Sequence, residues 1–225
     1  MFVAEVYESF QGEGPFAETP SLFIRTSGCN LRCSFCDTPF TSWYPEGDQI
    51  ELEELADQVH RSAARHVVLT GGEPMLAPQL PELSDICRSA GRTITIETAG
   101  TVDRSVECDL MAISPKLKNS VPDDLTWTRR HEQTRHQPAV IRSLYERYRA
   151  ILKFVVDKPD DVREIETYLQ PFPEISADDV WLMPQARTQE ELQQKADMVR
   201  TAAQQAGFRY SPRLHVERFG DQRGV

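Results

Sequence analysis

Short apolar runs recur along the chain, separated by longer amphipathic stretches. Val3–Tyr7, Leu22–Arg25, His66–Leu69, Thr93–Ile96, Leu110–Ile113, Ile151–Val156 and Val180–Met183 are rich in β-branched and aliphatic residues and read as strands. Helical periodicity lies between several of them. Glu51–Ala64 places Leu52, Leu55, Val59 and Ala63 on one face, and Asp161–Leu169 does the same with Val162, Ile165 and Leu169. Leu80–Arg88 is a further helical pattern. The clearest helix is Gln189–Ala206, opened by a capping box of Thr188 and Glu191 and stopped at Gly207. Strands alternating with helices predict a mainly parallel α/β sheet or barrel. A full eight-fold barrel uses ~250 residues, so seven such runs in 225 residues predict an incomplete, TIM-like barrel in a single domain over residues 1–225.

The alternation breaks at Leu117–Pro138, a polar stretch carrying Arg129, Arg130, His131, Arg135 and His136. It reads as an irregular insertion, either a solvated loop or a lid over a site. Polar residues also follow the strands in series: Thr70-Gly71-Gly72-Glu73-Pro74, Glu97-Thr98, Ser114-Pro115-Lys116 and Met183-Pro184-Gln185. Parallel α/β folds bind ligands at the carboxyl ends of their strands. Four polar strand ends in sequence point to a site there.

Composition narrows the class. Apolar residues make up 40% and charged residues 27%, which excludes disordered and fibrous chains. No run approaches the ~18 apolar residues of a membrane helix, and the first ten residues do not read as a signal peptide. The net charge of −10 argues against general nucleic-acid binding. Five cysteines, without a recognisable export signal, favour metal or redox chemistry over a disulfide framework and predict a cytoplasmic protein.

Three of those cysteines, Cys29, Cys33 and Cys36, form a CxxxCxxC pattern. Thiolates suit zinc and iron–sulfur clusters. A structural zinc site closes with four ligands, and no fourth is apparent near Cys36. Three thiolates on a cubane cluster leave one iron open for another ligand. Cys87 and Cys108 stand alone, Cys87 as a core filler.

The three cysteines with Phe35 before the last, followed by Gly71-Gly72-Glu73-Pro74, resemble the radical S-adenosylmethionine (SAM) superfamily. Phe10-Gln11-Gly12-Glu13-Gly14, Phe23-Ile24-Arg25-Thr26-Ser27-Gly28-Cys29, Cys36-Asp37-Thr38, Ile96–Thr101, Ser114-Pro115-Lys116 and Arg223-Gly224-Val225 narrow the resemblance to the 7-carboxy-7-deazaguanine synthase family. The likeness runs nearly end to end, leaving Leu117–Pro138 unmatched. It implies an incomplete radical SAM barrel, a 4Fe–4S cluster, SAM, a magnesium ion and a homodimer. It also implies an electron donor such as flavodoxin or ferredoxin. The implied reaction, in queuosine and 7-deazapurine biosynthesis, converts 6-carboxy-5,6,7,8-tetrahydropterin to 7-carboxy-7-deazaguanine with loss of ammonia.

Roles carried over by resemblance assign Cys29, Cys33 and Cys36 to the cluster and Thr38 to magnesium. Phe35, Cys36, Asp37, Gly72, Ser114, Pro115, Lys116, Met183, Pro184, Gln185 and Ala186 are assigned to SAM. Phe10, Gln11, Gly12, Glu13, Arg25, Thr70, Glu97, His215 and Val225 are assigned to the pterin. Several residues carry a plainer alternative. Gly12 and Gly14 serve an ordinary turn, Arg25 a structural salt bridge, Thr38 a helix cap, and His215, on an expected terminal strand Leu214–Val216, a satisfied core position. The terminal carboxylate of Val225 is expected to fold into the pterin pocket; a disordered tail is the alternative. His60, His66, His131 and His136 show no metal spacing. Three other classes compete: a glycyl-radical-enzyme activating enzyme, a non-catalytic zinc module, and a thioredoxin-like pair at Cys33 and Cys36.

Overall fold

The computed structural model describes residues Met1 to Val225. One nine-stranded sheet carries the whole chain. Its strands are β1 (Phe2–Phe10), β2 (Pro20–Thr26), β3 (Asp48–Gln49), β4 (His66–Gly71), β5 (Thr93–Thr98), β6 (Leu110–Ile113), β7 (Ala150–Val156), β8 (Val180–Pro184) and β9 (Arg209–Tyr210). Their order is β3-β1-β2-β4-β5-β6-β7-β8-β9, and the two ends do not pair, so the barrel is open. From β2 to β9 every neighbour is parallel, whereas β1 runs antiparallel to both β2 and β3.

All seven sequence-predicted strands are present. The two additional strands, β3 and β9, are two residues each, too short for any alternation to mark them. The helices are α1 (Pro39–Ser42), α2 (Leu52–Arg61), α3 (Leu80–Ser89), α4 (Leu125–Thr134), α5 (Pro138–Arg147), α6 (Asp160–Leu169), α7 (Gln189–Ala206) and α8 (Leu214–Phe219).

Strand alternation divides core from cavity. Leu22 and Ile24, Val67 and Leu69, Ile94 and Ile96, Leu152 and Phe154 point outward. They pack against Leu55 and Val59 of α2, Leu80 and Leu83 of α3, Ile141 and Leu144 of α5, and Val199 and Ala203 of α7. Cys87 is fully buried in this layer, as a core filler would be. The alternate positions Arg25, Thr70, Glu97, Lys153 and Met183 face the concave side.

Local chemistry sets the helix limits. In α7 the Thr188 hydroxyl accepts from Glu191 N–H at 3.2 Å, the Glu191 carboxylate accepts from Thr188 N–H at 3.3 Å, and Gly207 ends the helix at φ 72°. Helix α2 stops at Arg61, three residues before the expected end. The Arg92 guanidinium takes the carbonyls of Val59 at 2.6 Å, Ser62 at 3.0 Å and Ala64 at 2.8 Å, and Ser62 turns to an extended conformation.

Two expectations are corrected. Residues 117–138 do not form an irregular insertion: they contain a short 3-10 turn at Lys118–Ser120, all of α4 and the start of α5. The Asp124 side chain caps α4 by accepting from Thr126 N–H and Trp127 N–H, a signal hidden among charged neighbours. Leu214-His215-Val216 is the start of helix α8, not a terminal strand. The Leu214 N–H donates to Gly12 O at 3.0 Å, docking that helix on the loop after β1.

Candidate active site

The three clustered cysteines lie in the loop between β2 and α1, at the carboxyl end of β2. All three line the large cavity on the concave side of the sheet. Burial pushes the thiols of Cys29 and Cys33 up to about 12 and raises that of Cys36. Such thiols ionise only with a cation to compensate them, which is the donor chemistry a thiophilic metal group meets. No three His, Cys, Asp or Glu side chains converge as ligands of a single ion would.

The segment after β6 braces this loop. Ser34 N–H donates to Ser120 O at 2.9 Å and Ser34 Oγ to Asn119 O at 3.1 Å. Arg32 N–H donates to Nδ1 of His131, an α4 residue, at 3.1 Å, and the Arg32 guanidinium lies 4.3 Å from the Trp127 ring centroid. Nδ1 is therefore the acceptor, so Nε2 carries the proton toward Ser120 Oγ, 3.0 Å away. His131 is buried and neutral: burial, with the Arg135 charge beside it, lowers its pKa to about 4.

The Gly71-Gly72-Glu73-Pro74 loop closes on the same cavity. A Cβ at Gly72 would stand 2.3 Å from Gly28 O and 2.6 Å from Thr41 O, so only glycine fits between the cysteine loop and α1. Glu73 is fully buried and accepts from Thr98 Oγ1 and Ala99 N–H, both at 2.8 Å, and from Met75 N–H at 3.1 Å. Burial raises its pKa despite these donors. Glu73 thus fastens the glycine loop to the end of β5.

The remaining candidates gather around the cavity with few exceptions. Ser114 and Lys116 line it, the ammonium donating to Ser114 O at 2.6 Å and Ser114 Oγ at 2.8 Å. Met183, Gln185 and Ala186 line it as well. Pro115 and Pro184 do not; both are buried among neighbours that do. Phe35, Asp37 and Thr38 border it beside Cys36. Thr38 stands at the N-cap of α1, but its side chain makes no capping bond, so the plain capping alternative does not hold.

Phe10, Gln11, Gly12, Glu13, Arg25, Thr70, Glu97, His215 and Val225 line the same cavity. Glu97 accepts from Thr70 Oγ1 at 2.9 Å and Gln11 Nε2 at 3.2 Å. Arg25 makes the structural salt bridge that was its plainer alternative and also lines the cavity. Its Nε donates to Glu5 at 3.2 Å and its Nη2 to Tyr7 OH at 2.8 Å, while the guanidinium still faces the cavity. A Cβ at Gly12 would stand 2.2 Å from His215 Nδ1, so glycine lets His215 lie against this loop. Burial lowers the pKa of His215.

Glu13 needs a correction. It was expected to face the pterin, but its oxygens are already paired with Lys153 Nζ at 2.5 Å and Arg213 Nε at 3.1 Å. Burial alone would raise its pKa; these two charges outweigh it and hold the carboxyl far below the usual carboxylate range. Arg213 also donates to Asp37 at 2.6 Å and to Ala186 O, joining the cysteine loop to the loop after β8.

Lys153 and Arg213 escape the sequence reading, as do Glu5 and Tyr7. A lysine inside the apolar run Ala150–Val156 was the available signal for Lys153; nothing around Arg213 marks it.

Comparisons with known proteins agree with this geometry. Residues 23–122 match the model of the radical SAM superfamily. The chain is 44% identical over 229 residues to the 7-carboxy-7-deazaguanine synthase of Rhodopirellula baltica, covering 100% of this chain and 89% of that protein. It is 41% identical to the synthase of Halobacterium salinarum, covering 97% of this chain and 90% of the relative. The crystal structure of QueE from Escherichia coli superimposes with a TM-score of 0.69 at 24% identity, over 93% of this chain and 92% of that one, and so shares the fold. With relatives this similar along almost their whole length, and with the cysteine and glycine loops on one cavity, the chain belongs to the 7-carboxy-7-deazaguanine synthase family of the radical SAM superfamily.

Proposed function

We propose that the cavity converts 6-carboxy-5,6,7,8-tetrahydropterin to 7-carboxy-7-deazaguanine with loss of ammonia. The observation that carries this reading is one cavity lined both by the three clustered cysteines and by an arginine set among polar and carboxylate side chains. Cys29, Cys33 and Cys36 would hold a 4Fe–4S cluster, which together with SAM would supply radical hydrogen-abstraction chemistry for C6 of the pterin. The chain's own residues bind, orient and exclude water.

Gly72, Ser114 and Lys116 on one side and Met183, Gln185 and Ala186 on the other, with Phe35 and Asp37, form the SAM-side wall. Arg25 receives the substrate carboxylate; its Nη1 donates to no protein acceptor, leaving it for a ligand. Thr38 offers magnesium a hydroxyl free of capping duty, with the substrate carboxylate as co-ligand. Glu97, held by Thr70 and Gln11, accepts from the N–H-rich edge of the pterin. Phe10, Gly12, His215 and Val225 complete that wall.

A homodimer in the cytoplasm, reduced by a flavodoxin or ferredoxin, completes the reading. It is consistent with five free cysteines and with helices none of which is long and apolar enough to cross a membrane. Anaerobic reconstitution followed by iron and sulfide analysis and turnover of the carboxypterin tests the reading. Cys29→Ala, Cys33→Ala and Cys36→Ala should each lose cluster absorption and SAM cleavage, whereas Cys87→Ala and Cys108→Ala should keep both. An intact, active cluster in Cys33→Ala overturns the assignment.

A further inference from the structure

One buried cation in the cavity has no role in the reading above. Lys153 occupies the middle of β7 with 6% of its side chain exposed, while Leu152 and Phe154 on either side point into the apolar core. A lysine ammonium at such a depth persists only beside anions. It has two, Glu13 Oε2 at 2.5 Å and Glu97 Oε1 at 3.7 Å. Glu13 comes from the loop after β1 and Glu97 from the end of β5, so one ammonium joins two distant segments at the cavity wall.

The joint belongs to a longer row. Asp37, Arg213, Glu13, Lys153 and Glu97 follow one another with alternating sign. The row begins and ends in a carboxylate and so carries one more anion than cation. Glu13 lies between both cations and also has His215 Nε2 at 3.7 Å. Asp37 is paired at 2.6 Å. Glu97 has only the longer contact to Lys153, plus neutral donors from Thr70 and Gln11. Glu97 is thus the carboxylate of the row with no hydrogen-bonded cation, and its side chain is 25% exposed, against 11% for Glu13.

We propose that Lys153 is a positioning and specificity-determining residue: by tethering Glu97 to Glu13 it fixes the Glu97 carboxylate as the acceptor for an amidine-like N–H edge of the substrate. The inference rests on the carboxypterin reading of the cavity. Without Lys153 the two carboxylates repel, Glu97 turns away, and the acceptor wall is lost. Arg213 cannot substitute, because its guanidinium is already committed to Asp37, Glu13 and Ala186 O.

The experiment compares the cluster-loaded wild type with Lys153→Met, using carboxypterin and the analogue in which its 2-amino group is replaced by oxygen. Wild type should favour the amino compound. In Lys153→Met, KM for carboxypterin should rise roughly 5-fold, as expected when an ion pair at 3.7 Å without a hydrogen bond is lost. The preference over the oxo analogue should collapse. Iron content and SAM cleavage without substrate should not change.

Unchanged KM and unchanged discrimination overturn the proposal. If Lys153→Met does not fold, Lys153→Met/Glu13→Gln removes the buried pair together and is assayed instead. Weak, undiscriminating binding by that double variant supports the proposal, and wild-type binding shows that Lys153 only neutralises Glu13 and overturns it. A wild-type protein that fails to bind carboxypterin overturns the reading of the cavity itself, and the inference with it.

Discussion

His131 gives the brace between α4 and the cysteine loop a measurable signature. Its ring accepts from Arg32 N–H and points its own N–H at Ser120, which works only while the imidazole is neutral. The folded protein therefore resists protonating it, with a pKa of about 4 against 6.5 for a free histidine. In the unfolded chain the ring protonates freely below pH 6.5. The unfolded state then binds more protons, so stability falls as pH drops from 6.5 toward 4.

Integrating that difference gives a loss of about 2 kcal/mol between roughly pH 7.5 and 5. His131→Asn puts an amide oxygen where Nδ1 stood, keeps an acceptor for Arg32 N–H and cannot titrate. Its stability should fall by about 2 kcal/mol less than wild type over the same interval, although it starts lower at neutral pH. His131→Phe offers no acceptor and should cost about 1–3 kcal/mol for the orphaned N–H at pH 7.5, a deficit that shrinks by about 2 kcal/mol at pH 5 because phenylalanine does not titrate either. Anaerobic urea unfolding followed by tryptophan fluorescence at the two pH values reads all three proteins. Identical pH dependence in wild type and His131→Asn would refute the assignment of the brace.

Three other expectations address the cavity. Glu73→Ala leaves Met75 N–H and Ala99 N–H without their buried acceptor, for a loss of roughly 2–5 kcal/mol in unfolding free energy; faster loss of cluster absorbance on warming would report the loosened glycine loop, and wild-type retention would contradict that role. Arg25→Ala should weaken substrate binding by ~2–5 kcal/mol, the range for removing one partner of a buried charge pair, with iron content preserved. Thr38→Ala should blunt the rate response to magnesium; wild-type kinetics in both variants across a magnesium titration would dismiss the carboxylate site.

The sequence made the strands legible because a sheet covered by helices needs an apolar residue at every second position, and Leu22/Ile24, Val67/Leu69 and Ile94/Ile96 supply it. It made the cysteines and the glycine loop legible because their chemistry is dense and local. What stayed hidden depends on contacts between distant segments. Helix α4 is capped by an aspartate in a charged stretch and buries only His131 fully, so it presents no apolar stripe. The six-residue α8 is too short to show a period, and its Leu-His-Val start resembles a strand until Gly12 O takes the Leu214 N–H.

Glu13 shows the same limit within the site. From sequence it is an acidic residue in a glycine loop, free to meet a ligand. In the fold, Lys153 from β7 and Arg213 from beside α8 arrive from 140 and 200 residues away and claim both its oxygens. Glu97, 84 positions further along, is a cavity-lining carboxylate without a hydrogen-bonded cation. Motif spacing identifies which loops meet at the strand ends; the partition of charge among those loops is decided only when the barrel brings them together. For this chain, that partition separates a carboxylate that holds the wall from one that can read a substrate.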